Sequence, residues 1–225
     1  MKNMINIKET IKGILIILSY FILPTIIYMP FYLLQERKII GYQLAMILTY
    51  ILICIFYCYI YRKYLKKDLI IFKDNYKVIL KSSIKYWLIG LIIMIISSTL
   101  IDYFNIIPNT NQENNINTLK NYPMYEIICA VFIIPIIEEI IFRLSLKKGL
   151  KNKHLFAIFT GLTFAFMHIL SSLNNLTSLI YLIPFGGVGI SFGYAYYKTN
   201  NIYGTIITHS IHNAISLIQI FILLF

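Results

Sequence analysis

The chain has 225 residues, of which 59% are hydrophobic and 13% charged, and 20 Lys and Arg against nine Asp and Glu give a formal net charge of +11. Its mean hydropathy is +0.74. Soluble domains carry about a quarter charged residues, so this composition excludes an ordinary soluble protein and describes an all-α, polytopic helical bundle in a membrane. At about 20 residues per crossing the length accommodates roughly six to eight spans and leaves little for a soluble domain.

Seven spans are predicted, at 13–34, 39–61, 85–106, 124–146, 155–174, 178–197 and 202–224, and polar residues interrupt the last four. We divide this one integral membrane domain into N-terminal helices with a basic loop (1–123) and a helical core carrying the chemistry (124–225). Lys2, Lys8 and Lys12 precede the first span, whose apolar run is too long for a cleaved signal and lacks a small-residue cleavage site, so it reads as a retained anchor. The second loop holds Arg62, Lys63, Lys66, Lys67, Lys73, Lys77, Lys81 and Lys85, and Lys147, Lys148, Lys151, Lys153 and Lys198 fall in later loops of the same side. Opposite them stand Arg37, Lys38 and Lys120. The positive-inside rule then places the N-terminus in the cytoplasm and the C-terminus outside, in a multi-pass protein of the cell membrane. Without an aromatic-studded soluble module, the same basic residues do not make a nucleic-acid surface.

Cys54 and Cys58, four apart in the second span, and Cys129 in the fourth read as buried small residues rather than as a metal site or disulfide. Between the second and third spans, Asp68 to Ser83 mixes apolar residues with lysines, which suits an interfacial helix held by anionic lipid and equally a solvated loop. On the outer side Asn105 to Tyr122, with Pro108 and many asparagines, is expected to be a flexible loop. In the sixth span Gly186, Gly187, Gly189 and Gly193 permit close helix approach. No internal repeat is present, so an inverted-repeat transporter has no support.

The fourth span contains Glu138, Glu139 and Arg143. Three such charges near a bilayer centre oppose insertion by about 8 kcal/mol before compensation, so they require partners. Glu139 and Arg143 stand at i, i+4 and are oriented for an ion pair, while Glu138 points about 100° away. Pro135 removes a backbone donor three residues earlier and is expected to kink the helix. His168, His209 and His212 also fall within spans, whereas His154 belongs to the basic loop. A rise of 1.5 Å per residue puts Glu138 about 13 Å from Lys147, His209 about 12 Å from Asn201 and His168 about 21 Å from His154, so the group can share one layer. His209 and Asn213 share a helix face, as do Phe164 and His168.

This order, Glu138-Glu139-x-x-x-Arg143, Phe164-x-x-x-His168 and His209-x-x-x-Asn213, resembles the CPBP family of intramembrane proteases, which includes CAAX prenyl endopeptidases and bacterial bacteriocin-processing or Abi proteins. The resemblance covers residues 124 to 217. It departs from the pattern at Leu144, where the family often has glycine. The resemblance implies hydrolysis of a peptide bond in a membrane-associated protein or peptide, with Glu138 as general base, His168 assisting it on the water, and His209 and Asn213 stabilising the oxyanion. Glu139, Arg143, Phe164 and His212 would support these groups. The family has also been described as metalloproteases, and Glu138, His168 and His209 would form a His₂Glu zinc set with one open position. No His-Glu-x-x-His motif is present. The competing readings are a non-catalytic immunity or adaptor protein on the same scaffold, and a proton or ion relay through the same carboxylates. The Ile-, Asn- and Lys-heavy composition points to an AT-rich bacterium, where leader peptides or bacteriocins are the expected substrates.

Overall fold

The computed structural model describes residues 4–106, 110–173 and 175–224, so Lys2 and Pro108 lie outside the described residues. The elements are α1 (Ile7–Glu36), α2 (Tyr42–Tyr103), α3 (Thr110–Asn121), α4 (Pro123–Ile128), α5 (Ile134–Glu139), α6 (Lys153–Ile169), α7 (Leu182–Thr199) and α8 (Ile202–Leu224). Five helices are long and apolar enough to cross a membrane. One of them, α2, supplies two limbs: Asn75 departs from helical geometry (φ −127°, ψ 18°), and the chain bends back there. The bend lets Asp68 on one limb and Ser83 on the other both reach the first turn of α8. Residues 123–144 add a composite crossing, because π-helical turns at Cys129–Ile133 and Ile140–Leu144 join α4 and α5 to the next segment. The result is the all-helical, seven-crossing bundle that hydropathy predicts.

The composite helix lies at the centre. Ile137, Ile140, Ile141 and Phe142 are fully buried in one cluster with Ile17, Ile53, Tyr57 and Ile206. Outer helices show the opposite pattern, with Ile22, Ile26, Ile55, Ile95 and Ile222 exposed as lipid-facing side chains are. The α7 glycines make close packing possible. A Cβ on Gly189 would lie 2.7 Å from the Gly161 carbonyl oxygen, one on Gly193 2.8 Å from Ala157 Cα, and one on Gly187 2.6 Å from Ile93. Gly186 meets only ordinary contacts and is not required by packing.

The segments assigned to one side by their lysines meet at one end of the bundle. The Asn6 N–H donates to Gly149 O (2.8 Å) and the Lys151 N–H to Met4 O (3.0 Å), tying the start of α1 to the connection before α6. Asn201 Nδ2 donates to Asp68 O (2.7 Å) at the same end. At the far end Gln43 Oε1 accepts the Met124 N–H (3.0 Å), capping α4 from another helix.

The external asparagine-rich segment departs from expectation. Thr110–Asn121 is helical, not a loop. Leu119 is buried with Leu217 and Ile220 of α8, and Ile116 packs alongside, so two apolar residues at i, i+3 anchor an otherwise polar turn sequence. Tertiary packing outweighs the weak helix propensity of asparagine here. The three cysteines are free thiols, with Cys54 and Cys58 Sγ atoms 4.0 Å apart.

Candidate active site

Proline begins the local geometry of the site. In a π turn each carbonyl pairs with the N–H five residues on, as Cys129 O does with Ile134. The next pair would be Ala130 O with residue 135, which is proline and has no N–H. Asn213 Nδ2 from α8 donates to Ala130 O instead, at 2.8 Å. The second π turn is treated alike: Ser145 N–H donates to Ile140 O (3.0 Å) and the Ser145 hydroxyl to Ile141 O. Between the two turns lie Glu138 and Glu139.

The two glutamates occupy different surroundings. Glu139 is fully buried; its Oε1 accepts from His209 Nδ1 at 3.0 Å, and its Oε2 lies 3.6 Å from Arg143 Nε. Arg143, also fully buried, donates through an η nitrogen to Gly189 O at 3.2 Å, which leaves Nε and Nη1 without a hydrogen bond. Glu138 retains 11% side-chain exposure and approaches one polar partner, His209 Nε2, at 3.6 Å. One carboxylate is thus committed to holding charges together, and its neighbour, though largely buried, keeps some exposure.

Phe164 is the hub around which the rings gather. Its centroid lies 4.3 Å from that of His168 and 5.5 Å from that of His209, with the Arg143 guanidinium carbon at 5.2 Å. His168 Nδ1 stands 2.9 Å from Phe164 O. A carbonyl only accepts, so Nδ1 carries the proton and Nε2 keeps its lone pair. Applied to His209, the same reasoning puts the Nδ1 proton on the Glu139 side and turns Nε2 toward Glu138. His212 lies to one side, where its Nδ1 accepts from the Trp87 indole N–H at 3.3 Å. His154 bonds Tyr194 at 2.6 Å at the surface, apart from this group.

The structure thus sets Glu138, Glu139, Arg143 and His209 beside one another, packs Phe164 against Arg143, His168 and His209, and places Asn213 on the backbone gap left by Pro135. Among the described residues no three His, Cys, Asp or Glu side chains converge as metal ligands do. Glu138, His168 and His209 in this arrangement do not form such a ligand set. Sequence reasoning missed Phe192, whose ring lies 5.0 Å from that of His209, along with Trp87 and the Gly189 carbonyl. Each comes from a helix far away in sequence, and a backbone acceptor has no residue signature. The single tryptophan in an apolar span was the one signal available, since a buried indole N–H seeks an acceptor.

Comparison with known proteins matches the same stretch of the chain. Residues 120–215 match the family model described as type II CAAX prenyl endopeptidase Rce1-like. An uncharacterized protein of Mycoplasma capricolum subsp. capricolum is 30% identical over 162 residues, covering 66% of this chain and 46% of that relative. The chain thus spans less than half the length of that relative. No solved structure matches the chain. The matched stretch contains Glu138, Glu139, Arg143, Phe164, His168 and His209, and it is through residues 120–215 that the chain is similar to the CAAX-type endopeptidase family.

Proposed function

We propose that the protein is an intramembrane endopeptidase of the cell membrane, in which Glu138 activates a water molecule to hydrolyse a peptide bond of a membrane-associated protein or peptide. The observation that supports this reading is the difference between the two glutamates: Glu139 is fully buried and spent on His209 and Arg143, while Glu138, buried but with 11% of its side chain exposed, lies beside an imidazole nitrogen. A general base needs free lone pairs within reach of water, and such a base contributes roughly 10²- to 10⁴-fold to rate.

In this mechanism Glu138 takes a proton from water as the oxygen attacks the scissile carbonyl carbon. His168 Nε2, an acceptor because Nδ1 is bonded to Phe164 O, orients the same water through its other proton. His209 Nε2, when protonated, donates to the oxyanion, with Glu139 holding the ring from the opposite nitrogen. Asn213 spends one N–H on Ala130 O and keeps a second for the same oxyanion. Glu138 then passes its proton to the leaving amide nitrogen as the C–N bond breaks. Donors fixed by buried partners act strongly in a dry site, because they need not reorganise as charge develops.

The test is cleavage of a membrane-anchored peptide library in proteoliposomes, with products identified by mass spectrometry. Wild type should release fragments and Glu138→Gln should not, although it folds alike. Equal cleavage by both proteins would remove Glu138 from the chemistry. Metal content of the purified protein, and activity after chelation, test the metal-free mechanism separately; activity lost to a chelator and restored by zinc alone would overturn it.

A further inference from the structure

A second polar site lies at the end of the bundle that the lysines assign to the cytoplasm. A cavity of about 250 Å³ opens between the start of α1, the first limb of α2, the connection before α6 and the end of α7. Its charged lining is Glu9, Lys12, Lys67, Asp68, Lys147 and Lys148. The two carboxylates are already engaged: Glu9 binds Lys12 at 2.7 Å, and Asp68 Oδ2 accepts the Ile202 N–H at 3.0 Å. Among the described residues, Lys67, Lys147 and Lys148 have no carboxylate within 4.0 Å.

Lys147 is the most confined of these. Its ammonium nitrogen lies 3.7 Å from the ring centroid of Tyr197, 5.2 Å from that of Tyr196 and 5.4 Å from that of Phe156. Three rings hold the charge in place without neutralising it. Burial depresses the Lys147 pKa to about 8, with Asp68 opposing the shift, as befits a cation short of counter-charge. Along the same helix α1, past Glu9 and Lys12, Ile11, Ile14, Leu15 and Leu18 are exposed on the surface. The site thus pairs unneutralised ammonium groups with an adjoining apolar helix face.

We propose that this cavity binds the phosphodiester headgroup of an anionic phospholipid of the cytoplasmic leaflet, with Lys147, Lys148 and Lys67 on the phosphate and the acyl chains along α1. A soluble phosphate could satisfy the lysines but would leave the α1 face unused. The inference is independent of the peptidase reading, because none of these residues belongs to the Glu138 cluster.

The test uses the full chain purified in dodecyl maltoside, with melting temperature followed as lipid is titrated. Dioleoylphosphatidylglycerol should raise the melting temperature, and dioleoylphosphatidylcholine and inorganic phosphate at matching concentration should not. Lys147→Met should weaken the apparent phosphatidylglycerol affinity about fivefold. Lys147→Arg, and Lys77→Met outside the cavity, should bind as wild type does. If Lys147→Met cannot be purified, Lys67→Gln gives the same reading. Stabilisation by phosphatidylcholine equal to that by phosphatidylglycerol, or unchanged affinity in the cavity variants, overturns the site. Equal stabilisation by inorganic phosphate alone overturns the lipid assignment.

Discussion

At the scale of single residues, adjacent glutamates of one helix end up in unlike positions, and substitution should separate them. Glu138→Gln is expected to lower cleavage at least about 100-fold while leaving the melting temperature near that of wild type, read by proteoliposome assay and thermal denaturation. Glu139→Gln is expected to do the reverse of a clean knockout. It leaves Arg143 buried opposite a neutral group, and losing one partner of a buried ion pair costs about 3 to 5 kcal/mol, so the protein should melt early or fail to purify. The Glu139–Arg143 pairing was legible in the sequence because i, i+4 spacing sets it within one helix. The His209–Glu139 bond was not, since nothing in either span says which of two glutamates meets Nδ1. Sequence reading gave Asn213 to the oxyanion alone. The backbone bond to Ala130 becomes visible only once a π turn aligns that carbonyl with Pro135.

Elements explain how the site is held open to chemistry within a packed bundle. Pro135 and two π turns interrupt the regular hydrogen-bond ladder of the composite helix on either side of Glu138, and the Asn213 and Ser145 side chains satisfy carbonyls there. Asn213→Ala removes one of these repairs. It should lower stability by about 1 kcal/mol and also reduce turnover, measured by denaturation and cleavage of the same preparation. Close packing behind the site rests on glycine. A Cβ at Gly161 would lie 2.4 Å from the Ile190 backbone nitrogen, so Gly161→Ala should destabilise the α6–α7 pair by about 1 to 3 kcal/mol, seen as a lower melting temperature. Hydropathy located the crossings, and the Gly189 and Gly193 spacing announced a tight face. The helix at Thr110–Asn121 was hidden, because Ile116 and Leu119 look like stray apolar residues until α8 is packed beneath them.

The whole molecule sets its polar groups at two levels, the Glu138 cluster among the central helices and the lysine-lined cavity at the end that gathers the N-terminus. Lys147 makes the second level sensitive to pH. Its pKa in the folded protein is about 8, below the ordinary value of 10.5, so between these values the unfolded chain binds more protons than the folded one. Stability therefore rises with pH from about 8 to about 10.5 through this residue. The difference in melting temperature between wild type and Lys147→Met should shift across that interval in the direction favouring wild type, whereas a flat difference would mean the ammonium is fully solvated. Positive-inside counting foresaw that these lysines share a side, because charge asymmetry survives without knowledge of helix contacts. Which of them would lie against tyrosine rings depends on how α7 meets the segment after the composite helix, and no local pattern encodes that.

Asp68 carries a further consequence for assembly. At its start α8 has one amide satisfied by its own Asn201, through the Tyr203 N–H at 3.1 Å, and the Ile202 N–H satisfied by a carboxylate from the first third of the chain. A negative group there also favours the positive end of the helix dipole. Helix α8 thus begins incomplete, and its opening turn is closed only by docking against the elbow of α2, made much earlier in the chain. The helix that delivers His209 to Glu139 is seated by the same contact that closes its first turn on Asp68.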